Sequence, residues 1–181
     1  MYSQTLKVPL ERVGVLIGVK GEVKKKIESR MNVKLNIDSK QGEVEIVGKD
    51  SLKVFETRPI VQAIARGFTP DEAFELFNEN NVLEIINVTE FSGKSKKKKI
   101  RLSGRVIGEH GKARKNIEYL TGTKVVLYGK TVGIIGEPER VSLARRAIAM
   151  LLEGAPHGPV YRMLEKKQHE LHIREIEHEL G

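Results

Sequence analysis

Two short segments of this chain have residue types and spacing that could do chemistry. Gly18-Val19-Lys20-Gly21 and Gly108-Glu109-His110-Gly111 stand 90 residues apart. Each is preceded by an isoleucine, Ile17 or Ile107, and each is followed by a basic stretch that ends in Ile-Glu. Paired glycines let a backbone turn tightly and let a second backbone come within contact distance. A helix that begins directly after them presents free N–H groups and the positive end of its dipole. Basic side chains add charge at the same place: Lys24 and Lys25 in the first copy, and Arg105, Lys112, Arg114 and Lys115 in the second. The chemistry that follows from this set is the capture of phosphate.

Charge across the chain agrees. Lys and Arg number 32 against 24 Asp and Glu, a formal net charge of +8, which favours an anionic partner and nucleic acid first among them. The two copies are unequal. Residues 4–25 hold Lys7, Arg12, Lys20, Lys24 and Lys25 against Glu11 and Glu22, net +3. The equivalent residues 94–115 hold seven Lys and three Arg against Glu109, net +9. Much of that excess is the run from Lys94 to Arg101, which in isolation reads as a solvated loop. Its place just ahead of the second glycine pair puts its charge on the same phosphate path, so the second copy is expected to be the main site.

The repeat extends beyond the loops and dictates the elements that hold them. Val33 to Ile37 matches Thr123 to Leu127 at the same offset, and Val44 to Gly48 matches Val132 to Gly136 at an offset of 88, which implies a shorter hairpin in the second copy. Thr5 to Val8 and Val82 to Val88 read as strands, each followed by a short helix that ends at the glycines. Val23 with Ile27, and Ala113 with Ile117, have helical i, i+4 spacing over Glu22 to Arg30 and Lys112 to Leu120. Last helices follow over Ser51 to Arg66 and Pro138 to Leu152. Pro138 suits a first turn, whereas Pro59 should kink or split its helix. The order is β-α-α-β-β-α, twice, an α+β chain.

Between the copies, Thr69-Pro70-Asp71-Glu72 is a capping box with proline at the first helical position. Phe74 and Phe77 share a face, and Asn80-Asn81 ends the connector, a structured piece from which docked domains are expected. The predicted organisation is a first domain over 1–68, a connector over 69–81, a second domain over 82–154 and a helical tail over 155–181. The tail carries i, i+4 ion pairs such as Glu170 with Arg174 and few apolar side chains, so a mobile or partner-docked helix is expected there.

Several chemistries find no residues. There is no cysteine, hence no disulfide, thiol nucleophile or Cys-based zinc site. Gly-Lys-Ser/Thr is absent, as is the third glycine of a dinucleotide fingerprint. His169 and His172, with Glu165 nearby, lack a third pocket-forming ligand and read as a solvated, ion-paired helix face. No nucleophile–base pair or carboxylate dyad stands out, so neither catalysis nor a cofactor nor a metal is expected. No apolar run approaches the roughly 20 residues that span a bilayer. The first residues lack a signal-peptide pattern, from which a cytoplasmic protein is expected.

A strand–helix–Gly-x-x-Gly–helix order is that of the K-homology (KH) module of type I. That module clamps about four backbone nucleotides of a single strand and lays their bases over an apolar groove. Ile17, Ile27, Leu35 and Ile37 are the expected groove residues of the first copy, and Ile107, Ile117, Val125 and Leu127 those of the second. The chain resembles the archaeal two-KH-domain ribosome-biogenesis factors, relatives of the eukaryotic "partner of Nob-one" pre-rRNA processing protein. The resemblance is carried by Ala63-Ile64-Ala65-Arg66-Gly67-Phe68-Thr69-Pro70-Asp71-Glu72-Ala73, by Gly104 to Lys112, by Tyr128 to Val132 and by Gly154-Ala155-Pro156-His157-Gly158-Pro159-Val160-Tyr161. It implies binding to the 3′ end region of small-subunit (16S-type) rRNA during maturation. It also implies an accessory role to the Nob-one endonuclease and contact with the alpha subunit of translation initiation factor 2. Eukaryotic relatives tend to have a degenerate first KH unit, whereas Gly18 to Gly21 is intact here. Two other readings fit the same motif: a general KH regulator of single-stranded RNA or DNA, and a protein-interaction scaffold. The intact glycines of both copies argue against the scaffold.

Overall fold

The structure, a computed structural model, describes residues 1–181. The chain folds as two compact units, Met1–Leu83 and Glu84–Gly181. In the first unit, β1 (Tyr2–Lys7) leads to α1 (Leu10–Ile17), α2 (Glu22–Met31), β2 (Lys34–Asp38), β3 (Glu43–Gly48) and α3 (Ser51–Ala65). The strands pair antiparallel in the order β1-β3-β2. Alternation puts Leu6 opposite Val44 and Leu35 opposite Ile46, all buried beneath the helices with Leu16, Ile27, Ile60 and Ile64.

Residues Thr69 to Phe77 cap this unit. The Thr69–Glu72 capping box forms and starts α4 (Pro70–Ala73). A tighter turn then carries the stacked rings of Phe74 and Phe77, whose centroids are 5.0 Å apart. Lys26 and Arg30 of α2 lie over these two rings at 4.6 and 4.7 Å, so this segment packs on the first unit. Helical structure ends at Phe77, before the expected Asn80-Asn81 stop. Asn78 turns the chain by accepting from the Asn80 N–H, and Asn81 donates to the Glu75 carbonyl.

The second pattern runs β4 (Val82–Asn87), α5 (Thr89–Ser92), α6 (Lys96–Ile107), α7 (Lys112–Thr121), β5 (Lys124–Tyr128), β6 (Thr131–Gly136), α8 (Pro138–Leu152) and α9 (His157–Leu180). Its sheet has the order β4-β6-β5. Val106, Ile117, Val125, Ile134, Ile148 and Leu151 form its core.

Two expectations are corrected. The helix containing Pro59 does not split: α3 is unbroken from Ser51 to Ala65. The proline removes one helical hydrogen bond. Val54, Thr57, Ile60, Val61 and Ile64 are buried on both sides of it and hold the helix to the sheet. Phe55, four residues earlier, is exposed, so water can take its orphaned carbonyl. The tail is not a detached helix either. Val160 and Leu164, four residues apart, are fully buried in the core of the second unit, where α9 packs on α7 and α8. Only the turns after Leu171 are exposed throughout.

Candidate nucleic-acid interface

The two glycine loops adopt one conformation. Gly18 and Gly108 have φ/ψ of 76°/174° and 75°/174°. Lys20 and His110 both sit at 54°/26°, and Gly21 and Gly111 at 77°/16° and 75°/11°. Left-handed backbone at Lys20 and His110 costs each roughly 1–2 kcal/mol, and both copies accept that cost.

The two glycines of each pair have different reasons to be there. A Cβ on Gly18 would fall 2.5 Å from Val23 Cγ2, and one on Gly108 would fall 2.7 Å from Ala113 Cβ, so the first glycine is demanded by packing. A Cβ on Gly21 would meet nothing nearer than the flexible Lys25 Cε at 3.8 Å, and one on Gly111 nothing within 4 Å. The second glycine therefore faces open space. Val19, Lys20, Glu109 and His110 are exposed between the glycines. No side chain caps α2 or α7; the first N–H of each helix, that of Glu22 or Lys112, bonds back to the Val19 or Glu109 carbonyl of its loop, and the positive end of the helix dipole faces the open glycine.

The basic residues expected at the loops divide into two groups. Lys25, Lys112 and Lys115 are exposed and Lys24 half-exposed, with Lys25 Nζ reaching back to the Lys20 carbonyl at 3.4 Å. Arg105 is committed elsewhere, and Arg114 is engaged through Nη1 alone. Arg105 donates from Nε to the Leu151 carbonyl at 2.9 Å and from Nη2 to the Ala155 carbonyl, tying the end of α8 to α6. His157 Nε2 returns the bond to the Arg105 carbonyl at 2.8 Å, one of the terminal carbonyls α6 cannot satisfy internally. Arg12 plays the same part in the first unit, on the carbonyls of Ile64 and Phe68 at 2.9 and 2.7 Å. Arg114 Nη1 pairs with Glu118 Oε1 at 2.7 Å.

The expected groove also divides. Ile27, Leu35, Ile117 and Val125 have no exposure and are core, because they lie where the second helix of each pair crosses its sheet. Ile17, Ile37, Ile107 and Leu127 are half-buried and line the surface beside each loop. Glu28 accepts from the Leu35 N–H at 2.9 Å and Glu118 from the Val125 N–H at 3.1 Å, at the free edges of β2 and β5.

Sequence reasoning passed over Gly14 and Gly104. They lie in α1 and α6 at the same 90-residue offset, both exposed, and a Cβ on either meets nothing within 4 Å. A mid-helix glycine costs roughly 0.5–1 kcal/mol against alanine, and nothing inside either unit explains it. The repeat register itself was the signal. The position of the lysine run also differs from expectation. Ser95 caps α6, and Lys96 to Lys99 form its first turn, at the far end from Gly108. At 1.5 Å per residue, Lys97 lies about 16 Å along the helix from the loop. Lysines there oppose the helix dipole, so they concentrate positive potential at some expense of helix stability.

His169, His172 and Glu165 line a cleft with Arg140 and Gln168, and no group of three His, Cys, Asp or Glu is placed to hold a metal ion. No helix is long and apolar enough to cross a membrane.

Comparison with known proteins agrees with this geometry. A KH-domain family model matches residues 3–62, and a model of the eukaryotic type KH domain (type I) matches residues 82–169. A KH domain-containing protein of Methanocaldococcus jannaschii is 47% identical over 172 residues, covering 93% of this chain and 75% of that protein. The pre-rRNA-processing protein PNO1 of Chaetomium thermophilum is 31% identical over 145 residues, and the chain spans 54% of its length. The crystal structure of Dim2p from Pyrococcus horikoshii superimposes with a TM-score of 0.85 at 46% identity, covering 92% of this chain and 99% of that one. A structure of the a/eIF2alpha–aDim2p–rRNA complex from the same organism gives 0.87 at 45% identity, covering 93% and 95%. Two KH units with matching loops, and relatives matched along nearly the whole chain, place this protein in the family of two-KH-domain proteins that includes archaeal Dim2p and the PNO1 proteins.

Proposed function

We propose that this chain is a non-catalytic, cytoplasmic binder of single-stranded RNA, and that its RNA is the 3′ end region of small-subunit rRNA during ribosome maturation. The observation that carries the reading is the pair of matched loops, each with an open second glycine ahead of an uncapped helix start. Phosphates dock against the open second glycine and the positive end of the helix that follows it, Lys112 and Lys115 neutralise them in the second unit, and bases lie over Ile107 and Leu127. The relatives' names support the RNA: one acts in pre-rRNA processing, and another is seen in a complex with rRNA and a/eIF2alpha. The alpha subunit of translation initiation factor 2 is accordingly the proposed protein partner.

Charge favours the second unit for the leading role, since residues 94–115 carry net +9 against +3 for residues 4–25. The test is a fluorescence-anisotropy titration with the rRNA 3′-end sequence, scrambled RNA and single-stranded DNA of equal length. The rRNA sequence should bind tightest. With about four phosphates held by one unit, log affinity should fall with log salt at a slope near −3. A slope near zero, or equal affinity for all three strands, contradicts the reading.

A further inference from the structure

The free edge of a strand offers a base one N–H donor and one carbonyl acceptor. In the second unit that edge is β5, and at Val125 both groups are already taken. Glu118 Oε2 accepts the Val125 N–H at 3.1 Å, and Arg114 Nη1 reaches the Val125 carbonyl at 3.4 Å. Arg114 and Glu118 also bond each other at 2.7 Å, with side chains 32% and 19% exposed, so a ligand can reach them. This edge therefore offers a ligand a partly exposed carboxylate and a partly exposed guanidinium side by side.

We infer that Glu118 and Arg114 read the base at this position, and that the base is guanine. This rests on the single-stranded RNA reading above. Guanine's pairing edge presents two adjacent donors, N2–H and N1–H, and then one acceptor, O6. The carboxylate supplies the two acceptors, using lone pairs not engaged by Arg114 and Val125. The guanidinium, with five donors of which Nη1 alone is engaged within the chain, supplies the donor to O6. Adenine offers one donor beside the acceptor N1, which the carboxylate repels. Cytosine offers one donor, and uracil's lone donor is flanked by two carbonyls. Glu28 makes the same bond to Leu35 in the first unit, but Lys24 stands where Arg114 stands. A lysine has no planar fork to share between a carboxylate and a base, so the full set of groups exists only in the second unit.

The experiment compares affinities of the full chain for short uridine oligomers that carry one central guanosine, adenosine, cytidine or inosine. The wild type should prefer guanosine over adenosine by about tenfold or more, the scale of a bidentate base contact, with inosine, which lacks the N2 amine, between them. Glu118→Gln keeps an oxygen for the Val125 N–H but turns an amine towards the base. It should lose the guanosine preference while still binding the uridine background. Arg114→Lys should reduce the preference in part. Binding by the wild type without a guanosine preference, or a preference that survives Glu118→Gln, overturns the assignment while leaving the RNA-binding reading intact. Failure of the wild type to bind the rRNA 3′-end sequence as well as every oligomer overturns both.

Discussion

Gly104→Ala should make the protein more stable and bind RNA less well. Gly104 lies in α6, four residues before the second loop, and an added methyl touches nothing in the chain. The folded state therefore gains helix propensity with no steric penalty, about 0.5–1 kcal/mol. For a unit of this size each kcal/mol raises the melting temperature by about 4–8 °C. Urea unfolding followed by circular dichroism reads the gain independently. The same methyl stands on the exposed surface of α6, one turn before the loop that is proposed to hold phosphate. If RNA packs against that surface, a contact distance is violated and the complex loses about 1 kcal/mol or more, roughly a fivefold drop in affinity. Gly14→Ala is the matched control, with an equal stability gain and a smaller affinity loss, because the second unit leads. A Gly104→Ala protein that is stabilised and binds RNA as well as the wild type would refute the inference that this glycine exists for a ligand.

Leu164→Ala should destabilise the second unit by about 2–5 kcal/mol in urea unfolding, since the side chain is fully buried, whereas truncation after Leu171 should change stability little. His157→Leu should remove the donor to the Arg105 carbonyl and lower both stability and RNA affinity, by about 1–3 kcal/mol in stability, while His157→Gln, which keeps an amide donor, should recover part of each. Lys97→Gln combined with Lys98→Gln should leave the fold intact and flatten the salt slope of RNA binding by about 1.4 if both lysines meet phosphates. An unchanged slope would show that the run serves something other than this strand.

The repeat made the fold readable before any coordinates. Offsets of 90 and 88 located both glycine loops and both hairpins, because loop glycines and β-branched strands respond to local chemistry that sequence displays. What the sequence concealed was set by distant partners. Arg105 read as a phosphate ligand by type and position, yet it is held by carbonyls 46 and 50 residues away. Ile27 and Ile117 could have lined a groove or a core, and only the crossing of helix over sheet decides. Val160 and Leu164 looked too sparse to anchor a helix, but two side chains one turn apart suffice when they meet an existing core. Pro59 did not split its helix because local propensity was outweighed by burial on both sides of it.

The claim that these loops clamp RNA, with the second in the lead, is tested most directly by placing a negative charge at the open glycine of each in turn. Gly21 and Gly111 have no neighbour that an added side chain must displace, and aspartate is among the residues that best tolerate left-handed backbone. Both variants should remain folded by circular dichroism. Titrated against the rRNA 3′-end sequence, Gly111→Asp should lose about tenfold or more in affinity and Gly21→Asp distinctly less. If Gly21→Asp costs more, or if neither variant changes affinity, the account of how this protein holds RNA is contradicted.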